Sequence, residues 1–184
     1  MQSEHAAPAL LIRPATDADM DAIAAIYAHH VRHGTASFET EPPDAAEMRR
    51  RRAEILARGL PYLAADRDGV VLGYAYAGPY RSRAAYRDTV EDSIYLRPDA
   101  AGQGIGRRLL AALIEACAAR GFRQMIAVVG DSATLPSIRL HEALGFRMVG
   151  VLRAVGHKHG RWLDSVLLQR ALGAGDAAPP VPRD

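Results

Sequence analysis

Apolar positions recur along this chain at two spacings, and the spacing separates predicted helices from predicted strands. After Gly106 the apolar residues stand three and four positions apart, which is the period of a helix with one buried face. Residues 125–129 are wholly apolar, as in a strand covered on both faces of a sheet. The same reasoning predicts helices over residues 16–34, 42–59, 106–119 and 135–144, and strands over residues 10–12, 62–65, 70–77, 90–96, 125–129, 149–155 and 164–168.

Capping and turn residues support the order of these elements. Thr16 followed by Asp19 resembles a capping box, and Asp68-Gly69 suits a tight hairpin because both residues tolerate positive φ. The order is two helices, an antiparallel hairpin, then strand, glycine loop, helix, strand, helix and two strands. This predicts the α/β class, with a mixed α+β sheet, in one domain over residues 10–172. Residues 1–9 are expected to be a flexible N-terminus, and residues 173–184, rich in Gly, Ala and Pro, a disordered C-terminal tail.

Composition excludes several classes of protein. The 23 basic and 21 acidic residues leave a formal charge of +2, which provides no one-signed field for a nucleic-acid backbone. The one cysteine, Cys117, cannot form an intrachain disulfide and fits a small buried residue. The sequence shows no secretion signal and no run of about 18 apolar residues. We therefore expect a soluble cytoplasmic protein without nucleic-acid or membrane partners.

Two groups of histidines could in principle be metal ligands. His29, His30 and His33 form one group, and His157 and His159 form the other. Neither group has a carboxylate at a convincing ligand spacing. We therefore predict no metal site.

The segment AAGQGIGRRLL, residues 100–110, has three glycines at alternate positions before a predicted helix. Such a turn leaves amide N–H groups unpaired beside the positive end of the helix dipole, which makes an anion site that typically binds phosphate. The spacing differs from the dinucleotide fingerprint, and the Lys-Ser/Thr of the nucleotide-triphosphate loop is missing. Two interpretations stay open on the loop alone: a diphosphate cradle flanked by Arg107 and Arg108, or a tight turn whose glycines serve only positive φ.

This loop resembles motif A, Q/R-x-x-G-x-G/A, of the GNAT superfamily of N-acetyltransferases, whose amides hold the pyrophosphate of acetyl-coenzyme A. Gly104 and Gly106 match the motif, whereas Ala101 stands where the family usually has Gln or Arg. A closer resemblance, to the phosphinothricin and methionine sulfoximine/sulfone N-acetyltransferases, covers residues 10–172 through IRPATDADM, TASFETEPP, YAYAGPYRSRAAYRDTVEDSIYL, HEALGF and GHKHGRWLD. It implies the GNAT acyl-CoA N-acyltransferase fold, in which a central mixed sheet has a splayed parallel strand pair and helices on both faces.

The resemblance implies transfer of acetyl from acetyl-coenzyme A, as co-substrate, to the amino group of a small amino-acid-like acid by a homodimer without a metal. Because the amine must lose a proton to react, a base is required, and Glu91 matches the subfamily's proposed general base. Strand alternation points Asp92 to the opposite face. His141 matches a histidine proposed to take part in proton transfer. Main-chain N–H groups around residues 94–96 would polarise the acetyl carbonyl, and the resemblance favours that of Tyr95.

The resemblance implies that the remaining predicted site residues bind the two substrates. Those for acetyl-coenzyme A are Ile94, Leu96, Gly102, Gln103, Gly104, Ile105, Gly106, Arg107, Thr134 and Ser137. Those for the acceptor are Phe38, Arg81, Arg83 and Tyr86. Arg81, Arg83 and Tyr86 match positions that bind the acid groups of the substrate in the resembling enzymes, and a planar guanidinium group suits the oxygens of an acid. Thr134 stands where the family usually has Asn.

Two other functions stay open at this point. The same fold could acetylate a peptide N-terminus or a polyamine, although arginines suited to an acid argue against the polyamine. A protein of another class, a non-catalytic cofactor-sensing or nucleic-acid-binding module, would use the four arginines at 49–52. Such a module would keep its function when Glu91 is replaced.

Overall fold

A seven-stranded sheet runs through the protein, with helices on both faces. The structure, a computed structural model, describes residues 9–180. The strands are β1 Leu11–Pro14, β2 Tyr62–Arg67, β3 Val70–Pro79, β4 Thr89–Leu96, β5 Gln124–Gly130, β6 Arg147–Lys158 and β7 Arg161–Ala171. The helices are α1 Met20–His33, α2 Ala45–Ala57, α3 Ile105–Ala119 and α4 Leu135–Ala143. Every predicted helix and strand is present, and the predicted mixed α/β class is confirmed.

The final hairpin is longer than its apolar pattern predicts. β6 and β7 pair, with register shifts after Met148 and after Leu152, up to a two-residue turn, where His159 and Gly160 adopt φ of 51° and 73°. β6 is an edge strand of the sheet, and most of its side chains are exposed. The alternation of apolar and polar residues that marks a strand is therefore weak at the ends of this hairpin.

The sheet opens at its centre. The strand order is β1-β2-β3-β4-β5-β7-β6, and β4 and β5 are the parallel neighbours. They are paired only from Thr89, opposite Gln124, to Asp92, opposite Ala127. Beyond this point β4 remains paired with β3 and β5 with β7, so the two strands separate. The resulting gap positions the candidate site.

Each face of the sheet has its own core. On one face α3 buries an apolar stripe completely, formed by Ile105, Leu109, Leu110 and Leu113. Truncating a buried leucine of this kind to alanine typically costs about 2–5 kcal/mol. Cys117 belongs to the same core, and its burial raises the pKa of its thiol to about 12. On the other face α1 and α2 cover stacked tyrosines of β2 and β3, Tyr62, Tyr74 and Tyr76.

The chain ends are only partly described. Of the predicted flexible N-terminus, residues 1–8 lie outside the described residues. Residues 173–180 follow β7: the Gly175 amide donates to the Leu172 carbonyl at 2.9 Å, and Arg123 donates to the Pro179 carbonyl at 3.3 Å. Residues 181–184 are not described, and the disorder of residues 173–184 stays a prediction.

Residues 9–180 lack two features. No helix there has the length and apolar character needed to cross a bilayer. In the same part of the chain, no group of three or more His, Cys, Asp or Glu side chains could hold a metal ion.

Candidate active site

The gap between β4 and β5 forms a cavity of about 270 Å³. β4 contributes Glu91 and Ile94 to its wall, and β5 contributes Val129. Phe38, from the segment between α1 and α2, and His141, from α4, also line it. The separation of two strands thus brings a carboxylate, an imidazole and a free strand edge to one place.

The glycine turn follows β4 and precedes α3. Gly102 and Gly104 adopt φ of 76° and 74°, in the left-handed region that glycine enters without steric cost. The Arg108 amide makes the first bond of α3, to the Gly104 carbonyl at 3.2 Å. Among the described residues, the amides of residues 101–107 have no main-chain acceptor. A Cβ added at Gly102 or Gly104 would meet no atom within 4 Å, so the turn is open to a ligand.

Charges beside the turn favour an anion. The first turn of α3 contains no acidic residue, although a carboxylate would be stabilised by the positive end of the helix dipole. Arg107 and Arg108 occupy that turn instead. Arg108 donates to the Leu10 carbonyl at 2.7 Å, whereas Arg107 is exposed beside the open amides. The turn therefore fits a diphosphate bound without a metal.

The register of β4 corrects the prediction for the Tyr95 amide. The Arg97 amide donates to the Leu72 carbonyl of the β3 side at 2.9 Å, and donors alternate along an antiparallel ladder. The Tyr95 amide therefore also faces β3, opposite Tyr74. The amides of Ile94 and Leu96 face the gap instead.

The Tyr95 side chain has a packing role. Its ring lies 5.0 Å from the Tyr27 ring and 5.4 Å from the Tyr74 ring, measured between centroids. Burial holds the pKa of the Tyr95 hydroxyl well above its ordinary value. This side chain belongs to the core under α1, and the gap-facing donor is supplied by its neighbour Ile94.

Glu91 is a half-buried carboxylate on the cavity wall. Among the described residues, no arginine, lysine or histidine lies within ion-pair distance of it. Burial, followed by the charge of Asp92, raises the pKa of Glu91. Its carboxylate is therefore a stronger base than an exposed glutamate, and it is free to act.

His141 lies on the other face of the sheet and is paired with Asp92. Its Nε2 is 3.0 Å from Asp92 Oδ2, and its Nδ1 is 2.7 Å from the Ser137 carbonyl oxygen. Burial opposes the charged imidazole, but the hydrogen bond and charge of Asp92 outweigh it and raise the pKa of His141. The alternation that points Asp92 away from Glu91 was predicted, but its contact with α4 was not.

The segment between α1 and α2 crosses the gap and is held there from the last hairpin. Lys158 is buried and donates from Nζ to the Ser37 carbonyl at 2.7 Å. The Tyr27 hydroxyl lies 2.8 Å from Ser37 Oγ. The Phe38 ring lies directly over the backbone of Gly156. This role of Lys158 could not be predicted from the sequence, because it depends on a contact across more than a hundred residues.

We expect Gly156→Ala to weaken acceptor binding by displacing Phe38. The added Cβ would stand 2.6 Å from Phe38 Cδ2, so the ring must move, and overpacking of this kind typically costs about 1–3 kcal/mol. Steady-state kinetics should show a higher acceptor KM, and thermal unfolding a lower Tm. Gly150→Ala on the same strand is the matched control, since nothing lies within 4 Å of its added Cβ. Equal acceptor KM values in the two variants would contradict the role of Phe38.

Thr134 and Ser137 line the cavity at the start of α4. The Thr134 hydroxyl donates to the Gly130 carbonyl at 2.9 Å. Its proton is therefore already used, and Thr134 Oγ1 can only accept a hydrogen bond from a ligand. Beside the glycine turn, Gln103 Nε2 donates to the Asp99 carbonyl at 2.9 Å. Of the predicted coenzyme-binding residues, Ile94, Thr134 and Ser137 line the cavity, whereas Leu96 and the residues of the glycine turn lie outside its lining.

The predicted acceptor-binding residues are only partly brought together. Phe38 lines the cavity, but Arg81, Arg83 and Tyr86 are exposed on the connection between β3 and β4 and do not line it. This connection leaves the sheet close to Glu91, which pairs with Gly78 near the end of β3.

The four arginines at 49–52, the surface that a nucleic-acid-binding module would use, face carboxylates. The pairs are Arg49–Asp21, Arg50–Glu47, Arg51–Glu39 and Arg52–Asp17. Their charge is locally balanced, so little of it remains for a phosphate backbone.

Comparison with known proteins places the chain in a family. The acetyltransferase (GNAT) family model matches residues 23–146, and the chain belongs to that family. It is 58% identical to a phosphinothricin N-acetyltransferase of Alcaligenes faecalis, over 96% of this chain and 90% of that protein. It is 41% identical to an L-methionine sulfoximine/L-methionine sulfone acetyltransferase of Pseudomonas aeruginosa, over 91% of this chain and 98% of the relative.

A solved structure has the same fold. The crystal structure of a GNAT superfamily phosphinothricin acetyltransferase from Sinorhizobium meliloti, in complex with acetyl-coenzyme A, superimposes with a TM-score of 0.91 at 50% identity. The match covers 94% of this chain and 93% of that one. The predicted GNAT fold is thus confirmed.

Proposed function

We propose that this protein transfers the acetyl group of acetyl-coenzyme A to the amino group of a small amino-acid-like acid, such as phosphinothricin, methionine sulfoximine or methionine sulfone. The observation that carries the proposal is the gap between β4 and β5, which has the unpaired carboxylate of Glu91 on its wall, while the open glycine turn follows the end of the same strand. Relatives that are phosphinothricin and L-methionine sulfoximine/L-methionine sulfone acetyltransferases support these acceptors.

The residues along the gap suit the successive parts of coenzyme A. The amides of residues 102–107, with Arg107, would hold its diphosphate. The free edge of β4 at Ile94 and Leu96 would bind the amide-containing arm, with Thr134 and Ser137 on the opposite wall. The bound thioester supplies an activated acetyl carbonyl. The Ile94 amide then donates to the carbonyl oxygen as negative charge develops on it.

Glu91 acts as the general base. An amino group is mostly protonated at neutral pH and must lose a proton to attack a carbonyl. The raised pKa of Glu91 brings its basicity closer to that of the amine. As the C–N bond forms, the nitrogen gives up its second proton, and the electron pair of the breaking C–S bond goes to sulfur. Because the thiolate is the better leaving group, expulsion of sulfur is favoured over return of the amine.

We expect Arg83→Ala to raise the acceptor KM about 10-fold, the loss of roughly one charge-assisted hydrogen bond, and to leave the KM of acetyl-coenzyme A unchanged. Arg83 is exposed on the connection beside Glu91, where its guanidinium could bind the acid group of the acceptor. Steady-state kinetics with each substrate varied in turn measures both constants. Arg58→Ala, at an exposed position after α2, is the control. Equal changes in both KM values would mean that this connection does not bind the acceptor.

A thiol-release assay tests the reaction and the acceptor class together. The panel contains the three named acids, standard amino acids, a peptide with a free N-terminus and a polyamine. Release of coenzyme A with the acids, and little with the peptide or polyamine, supports the proposal. Absence of coenzyme A release with every acid would reject the proposal. Release with the peptide alone would mean that the enzyme acetylates protein N-termini instead.

A homodimer is part of the proposal. The edge strand β6 exposes a row of apolar side chains, Met148, Val149, Leu152 and Val155, and Trp162 of β7 is 66% exposed beside it. A second copy of the chain would cover this apolar edge, which otherwise favours aggregation. Sedimentation equilibrium should give twice the 19.8 kDa chain mass, and a monomer would contradict this part.

We also place the enzyme in the cytoplasm, since a reducing compartment suits its free Cys117.

A further inference from the structure

Asp92 occupies the point where the sheet opens. It is the last β4 residue paired with β5, and its side chain is only 2% exposed. His141, from α4, is 3% exposed, and its Nε2 contacts Asp92 Oδ2 at 3.0 Å. Both residues line the cavity. A carboxylate and an imidazole are therefore paired at the vertex of the gap, on the face opposite Glu91.

Both ring nitrogens of His141 face acceptors. The carbonyl oxygen of Ser137 is 2.7 Å from Nδ1, and a carbonyl can only accept. The carboxylate of Asp92 lies at Nε2. A neutral ring carries one N–H and can satisfy only one of them, whereas an imidazolium satisfies both. In this geometry neither N–H remains to be passed to a reacting atom.

The charged, titratable and polar groups around the pair come from four elements. Glu91 is on the other face of β4, and its charge and that of Asp92 repel. The negative charge of Asp92 contributes to the raised pKa of the Cys117 thiol on α3. Ser137 of α4 and Ser165 of β7 line the same cavity. Among the described residues no lysine or arginine is paired with Asp92, and its Oδ1 has no hydrogen-bond partner. His141 is thus the cation that balances this buried carboxylate.

We propose that Asp92 is a positioning residue that holds His141 as a fixed imidazolium on the cavity wall, where its charge stabilises the departing thiolate without transferring a proton. The inference rests on the proposed acetyl transfer. The ammonium group of the acceptor first loses one proton to Glu91, which passes it to water. The amine nitrogen then bonds to the acetyl carbon, the C–S bond breaks with its electrons going to sulfur, and Glu91 takes the second nitrogen proton. Coenzyme A leaves as a thiolate, which takes up a proton from water, and Glu91 returns its proton to water. His141 has the same proton count at the beginning and end.

Nuclear magnetic resonance tests the charge state without any substrate. The chain has seven histidines, and His141→Gln identifies the His141 signals by their loss. In ¹⁵N-histidine-labelled protein, both His141 nitrogens should remain protonated at pH values where exposed histidines are neutral. In Asp92→Asn, His141 should become neutral at lower pH. A neutral His141 ring in the unmodified protein at pH 7 would overturn the proposal, whether or not any acceptor is acetylated and whether or not Asp92→Asn folds.

Kinetics test whether Asp92 acts through His141. At pH 8, Asp92→Asn and His141→Gln should each lower kcat about 10- to 100-fold, with little change in the KM of acetyl-coenzyme A. The double variant should lose no more than His141→Gln. Asp92→Asn should also move the alkaline fall of kcat to lower pH, a shift that a purely structural defect would not produce. Additive losses or an unmoved alkaline limb would overturn the proposal. Asp21→Asn, on the exposed face of α1, is the control and should leave kcat unchanged.

Discussion

Glu91→Gln lowers kcat by about 10²- to 10⁴-fold, the range expected for loss of a general base, while the Kd for acetyl-coenzyme A stays nearly unchanged. The glutamine keeps the size of the side chain but cannot accept the amine proton. Glu91 lies at the far end of β4 from the glycine turn, so the coenzyme-binding amides should be undisturbed. Single-turnover kinetics and calorimetry separate the chemical step from binding.

The pH profile provides an independent check on Glu91. A base works only when ionised, so activity should fall as pH decreases through the pKa of Glu91. Because burial and Asp92 raise that pKa, the fall should occur at higher pH than for an exposed glutamate. The acid limb should vanish in Glu91→Gln. Glu115→Gln, exposed on α3, should keep both rate and profile, and an unaltered rate in Glu91→Gln at neutral pH would remove Glu91 from the mechanism.

Gly104→Val should raise the Kd for acetyl-coenzyme A by at least about 100-fold, equivalent to about 2.7 kcal/mol. Gly104 adopts a φ of 74°, which a β-branched residue does not tolerate. The turn must therefore rearrange or place a branched side chain where a diphosphate would approach the amides. Isothermal titration calorimetry measures the effect directly.

A matched glycine separates loss of the cradle from general backbone strain. Gly59, after α2, has a φ of 70° and open space around its added Cβ, so Gly59→Val carries a comparable strain far from the gap. Both variants should lose stability, but only Gly104→Val should lose the coenzyme. Wild-type affinity in folded Gly104→Val would show that the turn does not hold the diphosphate.

Local patterns predicted the elements better than the contacts between them. The stripe of α3 and the Asp68-Gly69 hairpin follow from neighbours in the sequence, so period and turn chemistry were sufficient. The Tyr95 amide was assigned wrongly because its direction depends on the register between β3 and β4. Alternation along one strand states which side chains share a face, but it does not state which neighbouring strand a given N–H group faces.

The sequence by itself determined that this protein has a mixed α/β fold, a glycine turn before a helix and a strand that carries Glu91, because each depends on residues close together in the chain. Only the tertiary structure decided that β4 and β5 separate after Asp92, that Asp92 meets His141, and that Lys158 holds the Phe38 segment over the gap. Those contacts join residues dozens of positions apart. They depend on how elements pack against one another, which no local period encodes.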